Sequence, residues 1–561
     1  MADKEVDLDR VRQVLGELIA PESGYFKAAI VYGIAISLLT LAVPIAVQTL
    51  VNTVANIAST RAVFILSGLL LLMLALSGLL NALRTHVMEM YERKIYARLM
   101  SEISLKAILA PHSVFEGRQN STITQRYFEI MTLQKNIPSL LIDGFALLLQ
   151  LLVGFTLVSF YHPMLFVFNL VVMLFIYLIW VIWGADAKRT AIHLSAAKYE
   201  SAKWLSDLTA AHEFFKSSRH MDYAGRTTEA LIGNYVDAHR HHFKYTFSQN
   251  IAFLALYALA SAGLLGLGGW LVVQDELSLG QLVAAELIMS AVFFGLSQFT
   301  IYLKMYYELF GAADKIGQIL ELPQEVLHED QDLQPAEGTL QCKDLGLSYQ
   351  GESVSFSFSI ESGAKVWVVT DKGWIQRQLS KLLKRQEEVV TGWMRLGKQA
   401  LEEYDVYELR QAIAVIDRSL IVECTIKDYF RMAAPDASVV EISAALALVD
   451  LEQTVVALPD AMNTRLSSLG APLLPLELLL LKLAVAIVAQ PKIVLLNQDF
   501  DNLLMAEHNN VLKSISCQPF SVLYFTHNPK PEFFDATLQL TSDGLGNGSS
   551  GLEVGGNSSY E

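Results

Sequence analysis

Residues 458–504 read LPDAMNTRLSSLGAPLLPLELLLLKLAVAIVAQPKIVLLNQDFDNLL, and this stretch decides the fold of the C-terminal part of the chain. Its second half contains four consecutive aliphatic residues, Ile493–Leu496, shortly after a proline. A short, continuous apolar run is typical of a strand buried on both faces of a parallel sheet. The run ends in two amides, Asn497 and Gln498. The stretch therefore predicts a central strand whose carboxyl end carries polar but uncharged side chains.

The composition of the whole chain points to a large membrane part. The 561 residues are 53% hydrophobic and only 18% charged, whereas about 25% is usual for globular domains. The apolar residues are concentrated before about residue 310, which predicts a membrane domain followed by one soluble domain. The net charge of −15 argues against nucleic acid as a partner.

Six apolar stretches are long enough to cross a bilayer, which requires about 20 residues. They lie at 28–53, 63–83, 138–161, 164–184, 251–273 and 283–303. The second-to-third and fourth-to-fifth connections are long and rich in lysine and arginine, whereas the three short loops hold only Arg61 between them. By the positive-inside rule, both long connections and both termini are predicted to be cytosolic.

The N-terminal part resembles the exporter-type ABC membrane domain, and in its first span the bacterial type I secretion exporters. Four local patterns carry the resemblance: Pro44 with Gln48 and Asn52, His112–Glu116, Asp275–Ala284, and Ile316–Glu321. The resemblance implies a six-helix membrane domain at 25–321, preceded by a cytosolic or interfacial helix at 1–24. An acidic, proline-bearing linker is predicted at 322–339.

The C-terminal part resembles the nucleotide-binding domain of ABC exporters, which has a P-loop NTPase fold. Leu458, Pro459, Thr464 and Gly470 keep the family spacing. The resemblance implies a multi-domain membrane protein in which residues 340–542 form a degenerate α/β domain of this kind. The Gly/Ser-rich tail at 543–561 is predicted to be disordered.

The phosphate-binding loop of the family does not survive in this chain. A loop of this type needs glycines whose backbone N–H groups wrap the phosphates, a lysine on the β/γ oxygens and a hydroxyl on magnesium. At the matching positions only Gly373 remains, Gln376 replaces the lysine, and Arg377 replaces the hydroxyl residue. Trp374 and Ile375 add bulk where backbone should approach phosphate, and Ile375 lacks the φ freedom of glycine.

Other catalytic positions of the family are also replaced. Asp417 falls at the Q-loop glutamine, and Pro475 lies within the segment that replaces the LSGGQ signature. Asn497 and Gln498 replace the magnesium-binding aspartate and the general-base glutamate of the Walker B strand. An amide cannot accept a proton from water at neutral pH, so general-base chemistry is lost. In the family each ATP lies between one chain's phosphate loop and the partner's signature, and this chain has lost both.

Two retained residues and several membrane residues leave alternatives open. Tyr349 matches the aromatic that stacks on adenine in the family but is equally an ordinary strand aromatic, and His527 matches the switch histidine. Glu286 lies in a predicted span, where charges usually face a cavity or partner, and is a candidate pathway residue; Asp143 is expected at an interface. The run His239–His242 indicates a solvated helix face rather than a metal site.

Two functions of different class follow. The first is a non-hydrolysing ABC-exporter-like channel, scaffold or accessory subunit, without ATPase activity of its own. The second is the degenerate half of an ATP-driven heterodimeric exporter of peptide, protein or lipid. No cofactor is expected, although Lys372 or Arg377 leaves weak ATP binding open. The expected partners are the lipid bilayer, a second copy or another ABC half-transporter, and secretion-system proteins, in a bacterial inner membrane.

Overall fold

The computed structural model describes residues 7–40, 43–49, 60–115, 125–325, 333–417, 421–527, 531–541 and 553–554. The chain divides into two compact units, Met1–Gln324 and Glu325–Glu561.

All regular secondary structure in the described residues of the N-terminal unit is helical. Its helices are α1 Leu8–Ile19, α2 Ser23–Thr40, α3 Thr60–Ile108, α4 His112–Phe115, α5 Phe128–Pro138, α6 Phe145–Ser159, α7 Pro163–Ala210, α8 Ser218–Val273 and α9 Leu279–Leu320. A π-helical turn, Ser139–Gly144, joins α5 to α6, and residues 43–49 are also helical.

Within the described residues, five helical segments are long and apolar enough to cross a membrane. They are Val63–Ile108, Phe128–Ser159, Pro163–Ala210, Ser218–Val273 and Leu279–Leu320. They coincide with the second to sixth predicted spans, except that the third predicted span, 138–161, runs two residues past the end of its helical segment at Ser159. The first predicted span, 28–53, is only partly described, because residues 41–42 and 50–53 lie outside the described part of the chain, as do Asn52 and Glu116 of the resemblance patterns.

The spanning helices extend well beyond a bilayer. The 56 residues of α8 make a helix about 84 Å long at 1.5 Å per residue, whereas the hydrocarbon core is about 30 Å thick. The helices pack through small residues: a Cβ added to Gly154 of α6 would lie 2.3 Å from Val292 Cγ2 of α9. A glycine at this crossing therefore lets the two backbones approach closely.

The N-terminal helix α1 packs on this bundle through one face. Its apolar residues Val11, Val14, Leu15 and Leu18 are all buried. Val14 lies close to α9, since a Cβ added to Gly317 would be 3.1 Å from Val14 Cγ2. On the polar side, Arg10 Nε donates a hydrogen bond to Glu321 Oε1 at 3.0 Å. The helix is therefore part of the N-terminal unit's core.

The C-terminal unit contains two sheets and a set of shorter helices. The strands are β1 Leu340–Tyr349, β2 Glu352–Ile360, β3 Lys365–Thr370, β4 Trp393–Leu396, β5 Gln399–Ala400, β6 Ile413–Ile416, β7 Ile493–Leu496, β8 Ser521–Phe525, β9 Ala536–Leu540 and β10 Glu553–Val554. The helices are α10 Gly373–Leu383, α11 Val406–Ala412, α12 Ile426–Ala433, α13 Val439–Leu448, α14 Glu452–Ala457, α15 Pro475–Ala489 and α16 Met505–Ser516.

The larger sheet has the order β10-β9-β3-β8-β7-β6, and the smaller has the order β2-β1-β4-β5. In the larger sheet the five strands from β9 to β6 are parallel. Strand β7 lies between β6 and β8, and all four of its side chains are buried. The continuous apolar run of the sequence is thus a central parallel strand.

Two residues of the Gly/Ser-rich tail at 543–561 belong to the described part of the chain. Glu553 and Val554 form β10, which pairs antiparallel with Thr537 and Ala536 of β9. The rest of that tail lies outside the described residues. Strand β9 would otherwise present unpaired backbone groups at the sheet edge, and this pairing satisfies part of them.

Candidate functional site

The predicted site residues follow the strands of the larger sheet at their carboxyl ends. Adjacent strands are aligned so that Ile416 pairs with Leu496, Leu496 with Tyr524, and Val368 with Phe525. Parallel strands end at the same edge, and ligands of open α/β sheets bind there. We call this the carboxyl edge; it carries Asp371, Lys372, Asp417, Asn497, Gln498, Thr526 and His527.

The connection between β3 and α10 is very short. Only Asp371 and Lys372 separate Thr370 from the first helical residue, Gly373. A phosphate cradle needs several consecutive backbone N–H groups in a wrapping loop. Two residues do not supply such a loop. A Cβ added to Gly373 would meet no described atom within 4 Å, so this glycine is not needed for close backbone approach.

The side chains around this connection bind each other. Lys372 Nζ donates to Glu352 Oε2 at 2.6 Å, and Trp374 Nε1 donates to the same oxygen at 3.2 Å. The Trp374 ring stacks on Tyr349, with ring centroids 6.0 Å apart and an interplanar angle of 24°. The hydrogen bond from Lys372 lowers the pKa of Glu352. One face of Tyr349 is therefore covered by the protein's own indole.

The neighbouring residues of α10 divide between core and solvent. Ile375 is 0% exposed and belongs to the core between sheet and helix. The expectation that Ile375 adds bulk at the phosphate position is therefore wrong: it lies on the buried side of α10 with Leu379, one turn later. Gln376 is half-buried and Arg377 is exposed.

A buried lysine connects α15 to the end of β6. Lys482 Nζ donates to the backbone carbonyl of Asp417 at 2.8 Å and lies 4.0 Å from Asp417 Oδ1. Burial lowers the pKa of Lys482, because the charged form is disfavoured away from water, and the Asp417 charge partly offsets this. The sequence reading missed Lys482, although it is the one basic residue in the apolar run of α15.

Pro475 is the first residue of α15, a position where its missing N–H has no intrahelical partner to lose. The preceding Leu474 N–H donates to Glu477 Oε2 at 2.8 Å. Glu477 thus caps this helix start.

At the end of β7, the two amides occupy different environments. Asn497 Nδ2 donates to Asp499 Oδ2 at 2.6 Å. Asn497 Oδ1 is buried and has no hydrogen-bond partner among the described residues. Gln498 is half-buried and begins a 3₁₀ turn, Gln498–Asn502.

A carboxylate that the sequence reading missed organises the end of β8. Asp501 Oδ1 accepts hydrogen bonds from Thr526 Oγ1 at 2.7 Å and from Tyr524 Oη, and Asp501 Oδ2 accepts from the His527 N–H at 3.1 Å. Tyr524 Oη also lies 3.0 Å from His508 Nε2. Burial and Asp501 raise the pKa of Tyr524. His527 is therefore anchored through its backbone while its side chain is exposed.

The carboxyl edge carries four aspartates within or next to its connections: Asp371, Asp417, Asp499 and Asp501. Of the nearby cations, Lys372 contacts Glu352 and Lys482 contacts the Asp417 carbonyl. The carboxyl edge is therefore acidic.

The membrane-domain candidates have specific surroundings. Glu286 is half-buried on α9; its Oε1 lies 3.4 Å from Ser290 Oγ, and its Oε2 is buried without a hydrogen-bond partner among the described residues. Asp143 forms an ion pair with Arg84 at 3.4 Å. The solvated face predicted for His239–His242 is wrong for His242, which is buried with Nδ1 3.0 Å from Thr190 Oγ1. Side chains at adjacent helix positions point in different directions, so His242 can face α7 while its neighbours in the run do not.

Comparison with known proteins identifies the membrane part. Residues 28–297 match the family model of the ABC transporter transmembrane region. The leukotoxin translocation ATP-binding protein LktB of Mannheimia glucosida is 20% identical over 515 residues, which cover 90% of this chain and 72% of that protein. The uncharacterized ABC transporter ATP-binding protein YknU of Bacillus subtilis (strain 168) is 24% identical over 241 residues, which cover 42% of this chain and 41% of that protein.

A solved structure shares the fold of nearly the whole chain. A bacterial Atm1-family ABC exporter with ATP bound has a TM-score of 0.81 and 16% sequence identity, and the match covers 93% of this chain and 94% of that one. At this identity the similarity concerns the fold.

Proposed function

Starting from the ABC exporter transmembrane region at residues 28–297, we propose that this integral membrane protein is a non-hydrolysing relative of ABC exporters. Residues 340–542 would form its degenerate nucleotide-binding domain, of the P-loop NTPase type. In this proposal the C-terminal unit serves assembly or regulation, and the protein works as an exporter-like channel, scaffold or accessory subunit.

The observation that carries the proposal is the connection between β3 and α10. It is two residues long, its lysine is bound to Glu352, and Trp374 stacks on Tyr349. A transferred phosphoryl group is stabilised almost entirely by positioning and electrostatics. With no wrapping loop and an acidic carboxyl edge, both contributions are weak here.

The chemistry of the remaining positions supports the same conclusion. Asn497 and Gln498 offer amide oxygens where a magnesium ligand and a general base are needed, and Asn497 is already engaged with Asp499. Leu474, at the serine position of the replaced LSGGQ signature, has no hydroxyl, and Pro475, at the next position, begins α15. Lys482 and Asp417 join two elements that a working site would use for ligand contact. Asn497 Nδ2, Lys482 Nζ and the Asp417 carbonyl are thus engaged in contacts within the C-terminal unit.

The assembly and location belong to the same proposal. We expect a homodimer, or a heterodimer with another ABC half-transporter, in a bacterial inner membrane with both termini in the cytosol. Secretion-system proteins are candidate partners because LktB, which aligns with 90% of this chain, is named for leukotoxin translocation. That alignment also favours a second candidate function, the degenerate half of an ATP-driven heterodimeric exporter of peptide, protein or lipid.

ATP hydrolysis by the full chain in lipid nanodiscs tests the first function. We expect no magnesium-dependent turnover and no saturable binding of radiolabelled ATP. The double variant Lys372→Ala/Arg377→Ala is the matched control, because it removes both cations that the sequence leaves open for phosphate contact. Turnover by the wild-type chain that disappears in this double variant would overturn the proposal.

Co-purification separates the two functions. The second candidate requires another ABC protein in stable complex with this chain and ATP hydrolysis by the pair. A complex that hydrolyses ATP only when both chains are present would replace the first function by the second.

A further inference from the structure

Helices α6 and α7 enclose a crevice that the proposed function does not use. Its volume is about 290 Å³. The α6 wall includes Phe155, Thr156 and Ser159, and the α7 wall includes Asn169, Leu170 and Met173. We call it the Asn169 crevice. We propose that it binds one lipid molecule whose head carries a hydroxyl hydrogen-bond donor, independently of any ATPase activity.

The polar centre of the crevice is Asn169, which is only 2% exposed. Its Nδ2 donates to the Phe155 carbonyl at 2.9 Å and to Ser159 Oγ at 2.9 Å. A backbone carbonyl can only accept, so these contacts fix the orientation of the amide. Oδ1 is the atom that remains, and it is buried without a hydrogen-bond partner among the described residues.

The unpartnered oxygen defines what the occupant must supply. A buried acceptor without a donor is unfavourable, so a ligand with an O–H group gains from binding here. Ser159 cannot serve, because its hydroxyl already donates to the Phe155 carbonyl at 2.7 Å. The occupant therefore brings the donor with it.

The walls define the rest of the occupant. Phe155, Leu170 and Met173 line the crevice with apolar atoms, and Leu170 is 58% exposed at its mouth. Both helices belong to segments able to cross a membrane, so this mouth faces a medium of acyl chains. The volume holds about ten groups the size of a water molecule, which suits a hydroxyl-bearing head and the first methylenes of a chain.

The depth of Asn169 also fits a lipid head. It lies six residues after Pro163, the first residue of α7, which places it about 9 Å along the helix from its start. A lipid with its hydroxyl near the end of the span and its chain directed toward the bilayer centre would place the hydroxyl at Asn169 and the methylenes along the apolar walls.

Photolabelling of the full chain tests the proposal. The protein is placed in phosphatidylcholine nanodiscs, since the phosphatidylcholine head has no hydrogen-bond donor, and exposed to a diazirine-bearing hexadecanol or to its methyl ether. We expect the alcohol to label the peptide covering residues 152–173 about tenfold more than the ether, the effect of one hydrogen bond. Equal labelling by the two probes would overturn the proposal.

Two variants on α7 locate the site. Leu170→Trp fills the crevice from an exposed position and should reduce alcohol labelling about tenfold, whereas Leu174→Trp, at a 54% exposed position outside the crevice, should leave it unchanged. Unchanged labelling of Leu170→Trp would contradict the proposal. Asn169→Leu, if it folds, should remove the preference for alcohol over ether; a folded Asn169→Leu that keeps the preference would also contradict it.

A second copy of the chain is the competing occupant. Met173→Cys tests it, because a disulfide between two chains at this mouth, together with absent lipid labelling, would show that protein covers the crevice and would overturn the lipid proposal.

Discussion

Introducing a carboxylate at the end of β7 should destabilise the C-terminal unit and, under the proposed function, give no ATPase activity. The perturbation is Asn497→Asp. In the structure, Asn497 Nδ2 donates to Asp499 Oδ2 at 2.6 Å. The substitution removes this donor and places two carboxylates against each other. Two like charges 4 Å apart near a protein surface repel by about 4 kcal/mol, and a normal hydrogen bond contributes about 1 kcal/mol. Allowing for rotation of Asp499, we expect a loss of about 2–4 kcal/mol near pH 7.5.

The sign of the pH dependence follows from the same geometry. A neighbouring carboxylate raises the pKa of the introduced acid in the folded state. The folded state then binds the proton more tightly than the unfolded state, whose aspartate pKa is about 3.9. The penalty is therefore absent near pH 4 and grows as pH rises, until the introduced acid is ionised in the folded protein.

The assay is thermal unfolding of the full chain in detergent at pH 5 and pH 7.5, followed by tryptophan fluorescence. For a unit of this size, 1 kcal/mol shifts Tm by about 2–4 °C, so we expect a decrease of roughly 5–15 °C at pH 7.5 and a smaller one at pH 5. Asn463→Asp is the matched control, because Asn463 is exposed on the 3₁₀ turn Ala461–Asn463, away from Asp499 in sequence. An Asn497→Asp protein as stable as wild type at pH 7.5, with magnesium-dependent ATPase activity, would refute the reasoning.

Three further predictions concern the C-terminal unit, each measured by denaturation of the full chain. Asp501→Ala should cost about 3–4 kcal/mol, because it leaves three donors without their acceptor; exposed Asp436→Ala should be nearly neutral, and equal effects would contradict the assigned contacts. Lys482→Met should change stability by less than about 1 kcal/mol at pH 7, since the lost hydrogen bond is offset by removal of a buried charge. Burial lowers the pKa of Lys482 in the folded protein. The free energy of unfolding of the wild type should therefore rise with pH between the folded-state pKa and the unfolded-state pKa of this lysine. If Lys482→Met shows the same pH profile as wild type, Lys482 is not the cause. Gly470→Ala should cost about 2 kcal/mol, because φ is +90° and the new Cβ would lie 2.6 Å from Leu478 Cδ2, whereas Gly373→Ala should be neutral in its open position.

Features of this fold that depend on neighbouring residues can be predicted from the sequence, whereas contacts between distant residues cannot. Five spans are predictable because length and apolarity are local properties, and the five helical segments match them to within two residues at the end of the third span. Strand β7 is predictable because a strand buried on both faces must be apolar at every position. The contacts of Lys482 and Asp501 join residues 65 and 25 positions apart, and no local pattern specifies such pairs.

The sequence is a poorer guide to the directions in which side chains point at the candidate site. Matching Ile375 to a loop glycine placed it beside the phosphate position, but the short connection starts α10 at Gly373 and turns Ile375 into the core. The signal was available, because Ile375, Leu379 and Leu382 repeat at helical spacing. The stacking of Trp374 on Tyr349 was not predictable, because it depends on how β1 lies beside α10.

The Asn497–Asp499 hydrogen bond also bears on evolutionary reversibility. Under the proposed function, an acid introduced at 497 alone would lower stability, because it would face the Asp499 carboxylate that Asn497 now contacts. Gaining ATPase activity would then need changes at Asn497, Asp499 and the connection after β3 together. Selection for a folded chain would act against the first of these changes made alone.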